Sequence, residues 1–542
     1  MKPLKALFCV LLASIMLSLG IPNELFRNGI APFGFVALIP FYLAVRETRS
    51  YRFAGVLSGL FALLVHVMAS FWLAYFKDFA VFTLGASSIA YFLYAAPVGW
   101  ALRYVSRSRR AFRPFLFAAV WTLWEWLKSI GFLAYPWGTL VMTSFPLKPL
   151  IQIADLTGVW GIGFLLALVS CVFAELVPLT PVGSKSRQPR ELSTTPRALS
   201  TLPRHHPFGS DQVKAVAFTA GLVILALAYG TVTLSRESRP VTTLDTILVQ
   251  HNADTWEDGG LRKNLRVGQQ LTRRALSQGR PKADLVVWSE SILTRPYLEH
   301  RDLYERLPAD DPFTAFMAET ETPLLVGSPV IVSREPLLFS NSVILVGPAA
   351  ERLDWYAKIQ LVPFAEYMPF TEYRWVREFF DTIVGFSSGW TPGNEIKTMS
   401  VVNHEGTTVR FATPICFEDA FPSLCAALHN SGSDVLINLT NDSWSRTDSA
   451  EMQHFVIAAF RAVELRTTLV RSTNAGYTCV VDPRGTVLAD LPLFTADALR
   501  VDVPIFERKT TFYARFGDWF PSILGLLLIL WLLVAEFRRR RR

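Results

Sequence analysis

A chain of 542 residues is long enough for more than one folded unit. Hydrophobic residues make up 51% of it, the mean hydropathy is +0.30 and the formal charge is +8, too apolar for an ordinary soluble protein of this size. The basic surplus clusters beside apolar runs, a membrane pattern rather than a nucleic-acid surface, and there is no zinc-finger spacing, no Walker-type phosphate loop and, with five irregularly spaced cysteines, no disulfide framework.

The first 235 residues are expected to form a multi-span helical membrane domain. An apolar run to Leu19 follows Lys2 and Lys5; Leu19-Gly-Ile-Pro22 is a poor cleavage site, so the run is taken as a retained first span. Further spans are expected at about 30 to 45, 53 to 76, 79 to 102, 114 to 130, 151 to 177 and 214 to 234, with an eighth at 519 to 537. Loops of one parity carry Arg46, Arg49 and Arg52, then Arg103 to Arg113, then Lys185 to Arg204, and the chain ends in Arg538 to Arg542. The positive-inside rule places both termini in the cytoplasm and residues 236 to 518 on the opposite side. Glu125 lies inside the aromatic span Trp121 to Lys128, where a charge is costly and often functional. Ala134-Tyr-Pro-Trp-Gly-Thr139 is a Gly/Pro/aromatic loop that is either functional or, as favoured, an interfacial aromatic belt, and Gly55 and Gly59 form a helix-packing GxxxG. Residues 180 to 212, rich in Pro, Ser, Thr and Arg, make a cytoplasmic linker; His205 and His206 within it lack further ligands, and no metal is assigned.

From residue 241 to 508 the texture is α/β. Strands are expected at Thr246 to Gln250, Leu285 to Trp288, Leu324 to Val332, Asn341 to Val346, Val409 to Ala412, Val435 to Leu439, Leu469 to Ser472, Tyr477 to Val481 and Thr486 to Leu488, the last after the turn Asp482 to Gly485. Helices are expected at Leu261 to Ser277 and Met452 to Leu465.

Three stretches here carry chemistry. The strand Asp284 to Trp288 ends in Ser289-Glu290, and partial burial raises a carboxyl toward the range of a general base, against the plain reading of an exposed loop glutamate. Trp355 to Glu366 sets Lys358 among apolar residues, where an ammonium stabilises a developing oxyanion, against the plain reading of a snorkelling lysine. Thr408 to Asp419 alternates as a strand, breaks at Pro414 and leads to an expected helix from Asp419 to Leu428. Cys416 then falls at a strand-to-helix turn, where helix N–H groups lower a thiol pKa and hold an oxyanion; its competing reading is a buried small hydrophobe, as for Cys425 and Cys479.

Trp-Ser-Glu290, Lys358-x-x-Leu-Val-Pro-Phe-x-Glu366 and Pro-Ile-Cys416-x-Glu418 together resemble the nitrilase superfamily, and the likeness runs through Asn441-Asp-Ser-Trp444, Arg461 to Arg466 and Val470 to Gly476. That superfamily implies an αββα sandwich and a Glu-Lys-Cys triad. With seven spans before the domain and one after, the chain is similar to the apolipoprotein N-acyltransferases of the bacterial inner membrane. The resemblance implies Glu290, Lys358 and Cys416 as the triad, Glu366 as a supporting acid, Glu418 as a motif residue beside the nucleophile, and Trp256 as a tryptophan near the acyl site. It further implies a membrane phospholipid as acyl donor, a diacylated apolipoprotein as acceptor, a Cys thioester, no cofactor and no nucleic-acid partner, with the catalytic domain periplasmic. Phe417, Ala365 and Ser445 to Asp448 depart from the family pattern around the pocket, where chain or donor preference is set. Phe379, Phe380, Phe386 and Trp390 are either a lid that admits lipid or domain core. A membrane-tethered amidase or nitrilase, and a non-catalytic scaffold with a nitrilase-like binding domain, are the other readings.

Overall fold

A computed structural model describes residues 1–76, 81–131, 134–177, 210–253, 260–278, 280, 282–383 and 389–541; Trp256, Phe386, His205, His206 and most of the 180 to 212 linker lie outside them. Among the described residues five helices are long and apolar enough to cross a membrane: Pro3–Gly20, Tyr51–Ala69, Ala154–Leu176, Asp211–Ser235 and Trp519–Arg540. Leu38–Glu47, Ser87–Val105 and Arg113–Leu127 stand at the other expected positions. The stretch from 30 to 45 is not one helix. Pro32 and Gly34 hold Ala31–Phe35 in a 3₁₀ turn, and a ten-residue helix follows, about 15 Å long. Gly55 and Gly59 let helix Tyr51–Ala69 meet Ser87–Val105 closely: a Cβ at Gly59 would lie 2.8 Å from the Phe92 carbonyl.

The second half is built from twelve strands. β1 (Thr242–Gln250), β2 (Leu285–Trp288), β3 (Leu324–Arg334), β4 (Leu337–Val346) and β5 (Arg352–Ala357) come first. β6 (Met399–Val402), β7 (Thr408–Ala412), β8 (Val435–Thr440), β9 (Thr468–Thr473), β10 (Cys479–Val481) and β11 (Val487–Asp490) follow, and β12 (Asp497–Ile505) closes the series. They form two six-stranded sheets, β12-β1-β2-β3-β4-β5 and β11-β10-β9-β8-β7-β6. Period-two alternation divides β1 and β2 of the first sheet between two cores. Leu244, Leu248, Leu285 and Val287 face the other sheet and share a core with Phe411, Leu436 and Val470. Ile247, Val249, Val286 and Trp288 face outward and pack with Leu265, Phe313 and Phe316 from helices Gly260–Leu276 and Phe313–Thr320. Helices Pro422–Asn430 and Asp448–Leu465 cover the second sheet, which completes an αββα sandwich. β5, β6 and β12 were not expected from the sequence; charges at Arg352, Asp354, Asp497, Arg500 and Asp502 interrupt the apolar pattern of β5 and β12, and β6 is only four residues long.

The sandwich is fastened to the membrane half through helix Asp448–Leu465. Helix Ala154–Leu176 kinks at Gly158, whose φ is +63° and whose missing Cβ leaves room for the Tyr513 ring. The kink frees the Val159 N–H, which donates to Glu464 at 3.0 Å. Arg466, in the left-handed conformation that ends the helix, donates to Asp155 at 2.8 Å.

Candidate active site

β2 ends at Trp288, and Glu290 follows it into the interior, buried at 4% exposure. Its Oε1 accepts from Asn341 at 2.8 Å and from Lys358 Nζ at 3.3 Å, and its Oε2 accepts from the Asn441 N–H at 2.9 Å. Lys358 follows directly on β5, is fully buried, and also donates to Glu366 at 2.8 Å. Asn341 donates to Glu366 as well, so one amide bridges both carboxylates. The Cys416 thiol sits near enough to Glu290 and Lys358 for both to act on its ionisation. Glu290, Lys358, Glu366 and Cys416 therefore share one polar cluster at one end of the sandwich.

The helix expected from Asp419 does not begin there. Cys416–Ala420 is a 3₁₀ turn, and the α-helix starts at Pro422, because proline is tolerated in a first turn and not in a helix interior. Cys416 itself has φ +50°, a strained conformation for a side chain other than glycine. Asn438 donates to the carbonyls of Pro414 and Cys416 at 2.9 and 3.1 Å and holds that turn. Glu418 is buried below it. Its carboxylate accepts from the N–H groups of Ile359, Gln360 and Ile415 at 2.7, 3.0 and 2.8 Å, and from the Tyr356 hydroxyl. Glu418 thus ties the nucleophile's turn to the segment after Lys358. Burial lifts its carboxyl to about 7 against these donors.

The expectation of a lowered thiol pKa is overturned. Desolvation first, then Glu290, push the Cys416 thiol well above its ordinary value, and Lys358 only partly opposes them. Desolvation also raises Glu290, against the pull of Lys358. Burial works against the Lys358 charge, but Glu290 and Glu366 outweigh it and hold its pKa well above the ordinary value. A neutral thiol beside a buried carboxylate of raised pKa has an acceptor for its proton at hand, and a nearby ammonium can stabilise an oxyanion.

The membrane half forms one wall. Trp137 is not in an interfacial belt: it is 5% exposed and stacks on Phe417, the residue after Cys416, with ring centroids 5.5 Å apart and planes 7° apart. Glu125 and Lys128 hold that loop from below. Glu125 accepts from the Leu140 N–H at 2.7 Å, and Lys128 donates to the Trp137 carbonyl at 2.8 Å. Trp444 meets Trp72 at 5.6 Å. Phe364, Phe370, Tyr373, Trp375 and Phe379 are exposed around residues 364 to 379, while Phe380 and Trp390 are half-buried. Phe379 is therefore not domain core. Among the departures, Thr447 caps helix Asp448–Leu465 through the Ala450 N–H, and Ser445 donates to Glu451.

Sequence reasoning missed Asn341 and the Asn441 N–H. Asn341 stood in plain view as the polar residue opening an apolar run to Val346; the Asn441 contact is a backbone contact with no side-chain signature.

Residues 13–172 match the family model of the apolipoprotein N-acyltransferase N-terminal domain, and residues 248–508 match that of the carbon-nitrogen hydrolases. Apolipoprotein N-acyltransferase 2 of Treponema denticola is 48% identical over 523 residues, which cover 96% of this chain and 96% of that protein. The chain belongs to the apolipoprotein N-acyltransferase family. Apolipoprotein N-acyltransferase 2 of Treponema pallidum is 42% identical, over 95% of this chain and 92% of the relative, and apolipoprotein N-acyltransferase of Borreliella burgdorferi is 30% identical over 98% and 96%. Both family regions are thus present in one chain, a membrane half and a carbon-nitrogen hydrolase half, and their border runs past Phe417.

Proposed function

We propose that this acyltransferase moves an acyl chain from a membrane phospholipid to the α-amine of the N-terminal diacylglyceryl-cysteine of apolipoproteins, with Cys416 as nucleophile, Glu290 as base, Lys358 as oxyanion partner and Glu366 as the carboxylate that fixes Lys358. Glu290 takes the thiol proton. The thiolate attacks the ester carbonyl, and the resulting oxyanion faces the Lys358 ammonium. The C–O bond breaks, Glu290 returns the proton to the leaving alkoxide, and a lysophospholipid departs from the thioester. The acceptor amine then attacks the thioester carbonyl, Glu290 takes its proton, the C–S bond breaks and the thiolate is reprotonated. Trp256 is assigned to the acyl-binding region.

The observation that carries this reading is the stack of Trp137 on Phe417, which sets the Cys416 turn against the membrane half rather than at an open aqueous face. Extracting an acyl chain into water costs about 0.8 kcal/mol per CH₂, so a thiol at the bilayer border spares both lipid substrates that step. The exposed aromatics from Phe364 to Phe379 supply an apolar approach for the chains. In this reading both termini are cytoplasmic, eight spans cross the bilayer and the catalytic domain is periplasmic, which the arginine-rich loops support by the positive-inside rule.

Intact mass of the detergent-purified protein tests the reading. With phospholipid alone, Cys416 gains one acyl group; a diacylated lipopeptide discharges it; Cys416→Ala shows neither. An adduct that only water discharges would make the protein a lipid hydrolase, and turnover of small amides without any lipid adduct would make it a tethered amidase.

A further inference from the structure

Behind the nucleophile lies a second, fully enclosed charge cluster that the mechanism above does not use. Its centre is His454, on the helix Asp448–Leu465. His454 Nε2 lies 2.9 Å from Asp419 Oδ1, and Nδ1 lies 2.9 Å from Asp442 Oδ2. The remaining oxygens are also occupied as acceptors: Arg471 from β9 donates to Asp419 Oδ2, and the Thr440 hydroxyl donates to Asp442 Oδ1 at 3.3 Å. Asp419, Arg471 and His454 are buried. An ionised carboxylate oxygen only accepts, so a ring nitrogen facing one must carry a proton. With a carboxylate at each nitrogen the ring is an imidazolium.

The two carboxylates belong to the two segments that matter most. Asp419 is the fourth residue of the strained turn that Cys416 opens. Asp442 follows Asn441, whose N–H holds Glu290 Oε2 at 2.9 Å. His454 therefore bridges the nucleophile's turn and the loop that orients the base through a close contact to each, while Arg471 pairs with Asp419 and approaches Asp442 only to 3.8 Å. We propose that His454 is a positioning residue: as an imidazolium it clamps the Cys416 turn to the Asn441–Asp442 loop, and acylation of Cys416 requires that charge. This rests on the acyl-transfer reading given above.

Burial opposes the charge on His454, but Asp442 and then Asp419 outweigh it and hold the ring up to about 9, with Arg471 pulling the other way. Glu451, one turn earlier on the same helix, is pushed well above the ordinary carboxyl range by burial and then by Asp442. From the membrane half the ring meets the uncharged face of Trp137, 5.6 Å away. The clamp therefore holds through neutral pH and opens as the pH rises through about 9.

The test uses the full-length protein in mixed micelles of a diacyl phospholipid, with single-turnover acylation of Cys416 followed by intact mass from pH 6 to 10. The wild-type rate should show an alkaline limb near pH 9. Asp442→Asn, which removes one carboxylate from the ring, should move that limb to lower pH. His454→Gln should acylate about 100-fold more slowly at pH 7, with the phospholipid concentration dependence unchanged, because the loss is one of alignment rather than binding. A limb that Asp442→Asn leaves in place, or a His454→Gln rate equal to wild type, overturns the proposal. Should either variant fail to fold, ¹⁵N-histidine spectra of the wild-type protein decide the matter. A ring with both nitrogens protonated at pH 8 supports the clamp, and eight histidines that are all neutral there refute it. If wild-type Cys416 takes no acyl group from phospholipid, the acyl-transfer reading fails on its own, and the same spectra still report the charge state of the cluster.

Discussion

The two helix layers of the sandwich have opposite fates. Helix Gly260–Leu276 lays Leu265, Leu271 and Ala275 on the first sheet and leaves its arginines at the surface, where Arg273 pairs with Asp311 and Glu319 while partly exposed. Helix Asp448–Leu465 is buried from Ser449 to Leu465, so its polar residues have no solvent to turn to. Gln453 donates to the carbonyls of Pro22 and Ala69 in the membrane half, Glu464 caps Val159, Arg461 pairs with Glu464, and His454 sits between two aspartates. The first layer is the outer wall of an ordinary α/β domain. The second is the joint between a catalytic sandwich and a membrane domain, and Gln453, His454, Arg461 and Glu464 on it find partners in one or the other.

Substitutions grade along that difference. The largest effect is expected beside the buried layer: Cys416→Ala should lower acyl transfer by about 10⁴-fold or more, measured as thioester formation and as lipopeptide product. Arg461→Met leaves Glu464 buried without its partner and should lower stability by about 3 kcal/mol, read from thermal unfolding in detergent. Gln453→Leu removes two hydrogen bonds across the joint and should cost about 1–2 kcal/mol. Arg273→Ala, on the open layer, should change stability by less than about 1 kcal/mol despite its two ion pairs. Equal losses for Arg461→Met and Arg273→Ala would erase the distinction between the layers. The layers also differ in pH response. His454 has a raised folded-state pKa, so its contribution is fully present below about 6.5 and is lost as the pH rises through about 9. Unfolding temperatures should fall over that interval in the wild type, and the fall should be smaller in His454→Gln.

The open layer was the easier one to read. Leu261 to Ser277 announces itself by its amphipathic period, and the helix found is Gly260–Leu276. The buried helix was found too, four residues late, because Thr447 caps it behind a polar first turn that carries no apolar period. Glu290, Lys358 and Cys416 stood out by residue type in apolar surroundings, and the structure gathers them with Glu366. The thiol's environment was not legible: its raised pKa comes first from burial and then from Glu290, which the fold brings in from 126 positions earlier in the sequence. The role of Trp137 was misjudged for a related reason. A tryptophan in a Gly/Pro loop beside a span has the same local sequence whether it faces lipid headgroups or the Phe417 ring. His454 carried no signal at all, since both of its aspartates are distant or arrive only when β8 lies beside the Cys416 turn.

The central claim is that the membrane half completes a site for lipid, and Trp137→Ala tests it most directly when two donors are compared. Acylation of Cys416 from phospholipid and from a small water-soluble activated ester would be timed in the same preparation. The account predicts at least about a tenfold loss with phospholipid and a change of less than about twofold with the small ester, because only the lipid uses that wall for binding energy. Equal losses with both donors, or none with either, would contradict it.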